Sequence, residues 1–492
     1  MFVEFQNTNI LKNILWTIFV KLFLKIIHIF SAVYNIFLNY RQYTFNIFGS
    51  NFGVLVVYYM KVSFLNIGCK LNFADMSEIQ KQFTDKGFDV VDFEDKADVV
   101  LINTCTVTHN ADADSRKYIR RAIRNNPDAF IAVTGCYSQL KPDEVLKIDG
   151  VDAVFGTNTK FSISELIDKF EKRTKPELFV PDMENVPFHF ASSVENNSRT
   201  RIVVKIQDGC DYVCTYCAVP YARGKSRSMN FGELKEKLQE ISDSNYHEVV
   251  LSGINLGEYR AESGEKFSDV IRYIANSDLK FRTRISSIEP NLVTDEIIDL
   301  VNNSDKLCKH FHIPLQSGSP DILKAMKRRY RAGDFVRLVE KIKNINSDIC
   351  IGADVIAGFP GESQTNFDET ANLLKMLPVS YLHVFTYSER DITPASKYEN
   401  QVYVNIRKLR TKVLRTLSDE KQIRFIMSQI GNTLNVVPEK DFLQNGIYYE
   451  EGLTDNYIRV KYKVQNPTSQ PKKIILDKAS GKIVTGKLYD IS

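Results

Sequence analysis

The chain has 492 residues, 43% of them hydrophobic and 25% charged, which excludes a disordered or fibrous protein and leaves room for roughly two to four domains. Its formal net charge is +4, so overall charge makes no case for a nucleic-acid partner, and any such case must rest on local patches. Eight cysteines are too sparse for a secreted disulfide framework and suit metal or redox chemistry in a reducing, cytoplasmic compartment.

In chain order, residues 1–59 form an apolar leader rich in Phe, Tyr, Ile and Asn, with the only tryptophan at Trp16. A membrane-spanning helix needs about 18 apolar residues with few charges, and Lys12, Lys21, Lys25 and His28 break this run into shorter pieces. The uncharged stretch Gln42–Met60 is long enough, but its first half carries Gln, Asn, Ser and Gly. No small-residue cleavage site follows a single short apolar core, so a secretory signal does not fit. Two readings remain: a basic amphipathic helix lying on a membrane surface, or upstream sequence read through from an early start. The second is favoured because Met60 directly precedes a clean strand, and no stable membrane association is expected.

From Lys61 to about Gly156, strands alternate with helices: "KVSFLNI", then the amphipathic "NFADMSEIQKQFTDKG", then "ADVVLINT", "NADADSRKYIRRAIRNN", "AFIAVTG" and "VDAVFGT". That alternation predicts a parallel sheet with helices on both faces, an α/β domain over 60–179. Cys69, Cys105 and Cys136 each follow the end of a strand, at intervals of 36 and 31 residues. In a parallel sheet all carboxyl ends share one edge, so three cysteines distant in sequence should converge there. Each alone reads better as a buried core thiol, and it is the coincidence of all three just past carboxyl ends that favours a shared site.

Residues 180–200 read as a polar linker. A second series over 201–431 holds six strands, "RIVVKIQ", "EVVLSG", "FRTRISSIE", "KHFHIPLQ", "ICIGADVIAGF" and "SYLHVFTYS", with helices between them. This pattern predicts an incomplete (β/α)6 barrel whose active site lies at the carboxyl ends of its strands. After a basic helix, residues 432–492 change to short strands punctuated by Gly and Asn, as in a small β-barrel.

At the end of the first barrel strand stands "GCDYVCTYCAVPYARG", which places Cys210, Cys214 and Cys217 in C-x3-C-x2-C spacing. A [4Fe–4S] cluster is usually held by four thiolates; held by three, it keeps one iron open to a substrate. The competing reading is a zinc site completed by a distant histidine, and the chain has only seven histidines.

The spacing resembles the signature of the radical S-adenosylmethionine (SAM) superfamily. The resemblance implies that the open iron chelates SAM and that reductive cleavage yields a 5′-deoxyadenosyl radical. It also implies cofactor contacts at Ser252, Gly253, Ile254 and Asn255 for the amino group, Glu289 for the ribose and Gly358 beside adenine, although a glycine after a strand is also simply a turn residue. A three-cysteine α/β domain, this barrel and a small β-barrel, in that order, resemble the methylthiotransferases from Met60 to Ser492. The resemblance then implies a second [4Fe–4S] cluster on Cys69, Cys105 and Cys136, a TRAM-like RNA-binding tail, and outside electron and sulfur donors. Cys308 and Cys350 match neither motif.

"NIGCKLNFADMSEI" and "CDYVCTYCAVPYARGKSRS" resemble the branch that acts on N6-threonylcarbamoyladenosine at position 37 of tRNA. Rival readings are the branches acting on isopentenyladenosine-37 or on a ribosomal-protein aspartate, and a non-catalytic iron–sulfur or zinc RNA-binding protein. For tRNA, three basic patches are candidates: Arg116, Lys117, Arg120, Arg121 and Arg124 on one helix; Arg407, Lys408, Arg410, Lys412 and Arg415 on another; and Arg459, Lys461 and Lys463 with Tyr457 and Tyr462 as stacking rings.

Overall fold

The computed structural model describes residues 40–45, 54–106, 108–167, 169–184, 186–193 and 200–489. The leader reading therefore falls largely outside the described residues; what is described there is an antiparallel hairpin, Tyr40–Phe45 with Val54–Tyr59. Among the described residues, no helix is long and apolar enough to cross a membrane.

The first domain comprises β1 (Lys61–Asn66), α1 (Lys70–Asp85), β2 (Asp89–Val91), β3 (Val99–Thr104), α2 (His109–Asn125), β4 (Phe130–Gly135), α3 (Cys136–Leu140), β5 (Ala153–Phe155) and β6 (Glu177–Phe179). All six strands are parallel, in the order β2-β1-β3-β4-β5-β6. Successive side chains of a strand point to opposite faces. Val99, Leu101, Phe130 and Ala132 accordingly pack against Ala74, Ile79 and Phe83 of α1. Val100, Ile102, Ile131 and Val133 face Ile119 and Ala122 of α2. The expected two-sided sheet is present. Two three-residue strands at its edges, β2 and β6, escaped the sequence reading because so short a run shows no period.

The segment read as a linker does more than connect. Ala191–Ser192 pairs antiparallel with Val204 and Lys205, and Phe188 and Phe190 pack on the second core.

The second domain contains β7 (Arg201–Lys205), α4 (Val219–Arg223), β8 (Glu248–Ser252), β9 (Arg282–Ile285), β10 (His310–His312), β11 (Cys350–Ala357) and β12 (Tyr381–Thr386). The strands run parallel as β7-β8-β9 and β10-β11-β12, and single bridges, Thr283 with Leu307 and Ser287 with His312, join the two halves. Six strands in sequence order make the expected incomplete barrel. Ile202, Val204, Val249, Leu251, Ala353, Val355, Leu382 and Val384 belong to the core. Their alternates, among them Lys205, Glu248, Arg284, His310, Asp354 and His383, line the inside.

After α5 (Val404–Ser428), β13 (Thr433–Gln444), β14 (Ile447–Thr454), β15 (Arg459–Val464), β16 (Lys472–Ser480) and β17 (Ile483–Leu488) close a small barrel in the order β13-β14-β15-β17-β16. It docks at the amino-terminal ends of the larger barrel's strands. Arg282 donates to Asn435 O and Leu453 O, and Arg284 to Thr454 O and Asp455 O. Glu248, fully buried, receives Arg201, Arg282 and Arg284 together. Tyr457, at φ 73°, stacks on His310 with centroids 4.4 Å apart and so closes that mouth of the larger barrel. Strand carboxyl ends, and both cysteine trios, lie at the other mouth.

Candidate active site with two cysteine trios

Cys69 is the extended residue that caps α1, Cys105 follows β3, and Cys136 opens α3. In the order β2-β1-β3, the sheet reverses direction between β1 and β3, and ligands bind open α/β sheets beyond the strand ends at such a switch point. Gly68, at φ 126°, lets the chain pass Cys105: a Cβ there would stand 3.0 Å from Cys105 Cβ and 3.4 Å from its Sγ. Asn72 Nδ2 donates to Ile67 O and Thr104 O at 3.0 Å each, tying the strand ends of Cys69 and Cys105 together. Cys136 lies within electrostatic reach of Cys69, and burial pushes its thiol up. All three cysteines thus stand past carboxyl ends along one edge of the parallel sheet.

The second trio hangs from a hairpin in which Gln207–Asp208 pairs with Arg227–Ser228. Cys210 N donates to Gly224 O at 3.1 Å and Cys217 N to Cys214 O at 3.0 Å. Thr215 anchors the loop's middle through Met326 O and Ala325 O. Burial raises all three thiols, Cys217 to about 12. Metal binding must therefore displace protons and repay their loss. Among the described residues, neither cysteine trio forms a group whose ligand atoms all lie within 4.8 Å of one another. A tetrahedral zinc, with Zn–S of about 2.3 Å, needs sulfurs about 4 Å apart.

Residues 204–374 match the model of the radical SAM superfamily, and residues 61–156 match that of the uncharacterized protein family UPF0004. The threonylcarbamoyladenosine tRNA methylthiotransferase MtaB of Bacillus subtilis is 40% identical over 413 residues, covering 82% of this chain and 90% of that protein. Its namesake in Aquifex aeolicus is 35% identical, covering 82% and 96%. The chain belongs to the radical SAM methylthiotransferases. Among solved structures, the radical SAM methyltransferase TsrM of Kitasatospora setae has a similar fold, with a TM-score of 0.52 at 16% identity over 68% of this chain and 75% of that one. Membership makes this methylthiotransferase an enzyme that uses a [4Fe–4S] cluster and SAM.

The residues expected to contact SAM lie at or just beyond the carboxyl ends of β8, β9 and β11. Asn255 is 3% exposed; its N–H donates to Gln207 Oε1 at 3.0 Å, while both polar atoms of its side chain lack a partner. A buried amide left open costs free energy unless a ligand completes it, so Asn255 fits a cofactor contact. Ser252 is buried at the end of β8. Gly253 is pressed against Gln207, whose Oε1 would lie 2.8 Å from an added Cβ. Glu289 pairs with Arg328, whose other guanidinium nitrogen donates to Cys214 Sγ at 3.0 Å. Gly358, at φ 81°, would bring a Cβ to 2.9 Å from Arg407 Cβ, so its smallness is already used by this chain. Its N–H donates to Glu362 Oε2 at 2.8 Å.

Several residues at this methylthiotransferase site escaped the sequence reading. Arg328 sits in "MKRRY", where nothing distinguishes one arginine from the next until Glu289 and Cys214 are placed beside it. Inside the barrel, His312 Nε2 and His383 Nδ1 both meet Asp354 Oδ1, at 2.8 and 3.4 Å, and Tyr381 OH bridges His310 and His312. A further network crosses the domain boundary. Asp75 receives Lys160 at 2.5 Å, Lys205 at 2.6 Å and Arg223 at 3.1 Å, and Asp208 receives Arg223 at 2.9 Å, Arg227 at 3.3 Å and Lys205 at 3.6 Å. Burial pushes Asp208 up, but Arg223, Lys205 and Arg227 outweigh it and leave it at about 2.

The basic patches need correction. Arg407 and Arg410 are buried and paired with Glu389 and Glu362, so that patch reduces to Lys408, Lys412 and Arg415. Tyr462 is 1% exposed and Tyr457 is committed to His310, so neither is free to stack on a base. The tail instead stacks Phe442 on Tyr449 at 5.8 Å, with Lys461 Nζ 4.6 and 4.1 Å from the two rings. On α2, Lys117, Arg120 and Arg124 remain exposed, whereas Arg116 and Arg121 pair with Glu144 and Glu94.

Proposed function

We propose that this enzyme transfers a methylthio group to C2 of N6-threonylcarbamoyladenosine at position 37 of tRNA, using a second [4Fe–4S] cluster held by Cys69, Cys105 and Cys136. The observation that carries the second cluster is charge. Within ion-pairing distance, four cations (Lys160, Lys205, Arg223 and Arg227) share two carboxylates, Asp75 and Asp208. Lys160, Lys205 and Arg223 are at most 2% exposed. A buried excess of positive charge is stable only beside an anion. The nearest candidates are Cys136 and Cys69, which would be thiolates on a cluster.

When bound, SAM and the two clusters supply the radical and the sulfur to be inserted. The chain's own part is to hold and to exclude. Cys210, Cys214 and Cys217 grip one cluster; Ser252, Gly253, Asn255, Glu289 and Gly358 hold SAM against it. Lys70, next to Cys69, makes no ion pair or hydrogen bond among the described residues and stays accessible although burial, with Arg201 and Arg284 nearby, lowers it to about 8. It is the cation available for the carboxylate that threonylcarbamoyl adds to adenosine. The small barrel serves as a TRAM-like RNA platform through Phe442, Tyr449 and Lys461, and α2 adds Lys117, Arg120 and Arg124.

This reading divides the chain into residues 60–179, a connecting segment 180–200, a radical core 201–431 and an RNA-binding tail 432–492. The reaction also requires an electron donor and a sulfur donor from outside, and a tRNA substrate supports a cytoplasmic location. Several relatives at 30–32% identity are named tRNA-2-methylthio-N(6)-dimethylallyladenosine synthases, so the test must separate the two nucleosides. Nucleoside mass spectrometry of tRNA from a deletion strain should show loss of 2-methylthio-N6-threonylcarbamoyladenosine and its return on complementation. Complementation with Lys70→Gln should restore little of it, while the purified variant still cleaves SAM. An unchanged level in the deletion strain would remove the substrate assignment.

A further inference from the structure

Arg223 belongs to one domain by sequence and to the other by contact. It ends α4, six residues after Cys217, and is therefore carried by the same short segment that carries the SAM-cluster cysteines. Its side chain is 2% exposed. One arm, Nη1, meets both oxygens of Asp208, at 2.9 and 3.1 Å. The other, Nη2, crosses the boundary to Asn72 Oδ1 at 2.6 Å and Asp75 Oδ2 at 3.1 Å. It also lies within electrostatic reach of Cys136 and Cys69. Asn72 in turn ties the strand ends of Cys69 and Cys105. Thr157 Oγ1 donates to Ala222 O at 2.6 Å, which pins α4 to the first domain beside this contact.

We propose that Arg223 is a positioning residue for the Cys69–Cys105–Cys136 centre: it fixes that centre relative to the SAM-binding loop and tunes it with its buried charge. The assignment rests on the two-cluster reading above. Arginine suits the task because its planar fork serves Asp208 and the far domain at once and stays charged when buried. A cation buried beside the ligand sulfurs favours the more negative, reduced cluster, so it raises its potential. Arg227 provides an internal comparison. It shares Asp208 in the same network at 3.3 Å, but its charge partners there are Asp208, Arg223 and Asp75, with no cysteine among them.

The test is potentiometric electron paramagnetic resonance on the full-length, anaerobically reconstituted enzyme. Added SAM marks the signal of the Cys210–Cys214–Cys217 centre by perturbing it, and the other signal then reports the first domain. Arg223→Gln should shift that second signal to lower potential and leave the SAM-perturbed one in place; Arg223→Lys, which keeps the charge but loses the fork, should shift it less. Full iron content with neither signal moved in Arg223→Gln would overturn the assignment, as would an equal shift in Arg227→Gln. If Arg223→Gln does not fold, the Lys variant carries the measurement, and an unmoved second signal there overturns the proposal. A wild-type enzyme with about four irons rather than about eight would instead strike the two-cluster reading itself, and this assignment with it.

Discussion

Arg328 reaches Cys214 with one nitrogen and Glu289 with another, whereas Cys105 is packed against Gly68 in the first domain. The proposed function gives the two cysteines different chemistry although each follows a strand of a parallel sheet. Cys214→Ala should reduce 5′-deoxyadenosine formation by more than the roughly 10–100-fold that loss of a supporting partner costs a metal site. Cys105→Ala should leave SAM cleavage within a few-fold of wild type and lose methylthio transfer. Chromatographic quantification of 5′-deoxyadenosine beside the modified nucleoside separates them, and equal cleavage by the Cys214 variant and wild type would refute these roles. At this scale the placement of Cys69, Cys105 and Cys136 just past strand ends was legible from the strand pattern. Arg223 and Arg328 were not, because a buried ion pair between residues 148 apart, such as Arg223 with Asp75, leaves no mark in either neighbourhood. Arg407, Arg410, Tyr457 and Tyr462 misled for the same reason: a charge or a ring reads alike in sequence whether it faces water or a distant partner.

The elbow between β4 and α3 is the element that aims Cys136. Gly135 adopts φ 101°, and a Cβ there would lie 2.5 Å from Asn103 Oδ1 and 2.6 Å from Thr104 N. No side chain fits, because both neighbours belong to the end of the adjacent strand β3. Gly135→Ala should lose about 3 kcal/mol or more, combining backbone strain with overpacking, and lower the denaturant midpoint without changing its slope. An unchanged midpoint would show that the elbow can relax. Long elements were legible because their apolar periods are strong: six barrel strands, the five strands of the tail and both major helices of the first domain lie where alternation predicts. The edge strands β6 and Ala191–Ser192 were not legible, since each runs only two or three residues and has a pairing partner on one side alone.

On the scale of the whole molecule, two buried ionic networks hold three domains together. At the mouth opposite the cysteines, burial pushes Glu248 up, but Arg284, Arg282 and Arg201 outweigh it and hold it well below the usual carboxylate range. A carboxylate depressed by folding stabilises the native state above its unfolded value near 4.5, and that contribution is lost as pH falls through the folded value. Thermal stability should thus hold above pH about 5 and fall below pH about 4. Glu248→Gln, which leaves three arginines facing one another, should cost about 3–5 kcal/mol at neutral pH and flatten that acid limb. An acid limb identical in the variant would assign it to other carboxylates. The first network, around Asp75 and Asp208, bears most directly on function, since its surplus of positive charge calls for an anionic centre in the first domain. Iron and acid-labile sulfide analysis of the anaerobically reconstituted full-length chain measures that centre. Two three-cysteine sites predict about eight irons and eight sulfides per chain, falling to about four of each when Cys69, Cys105 and Cys136 are replaced by alanine. About four irons in the wild-type chain, or none, would contradict it.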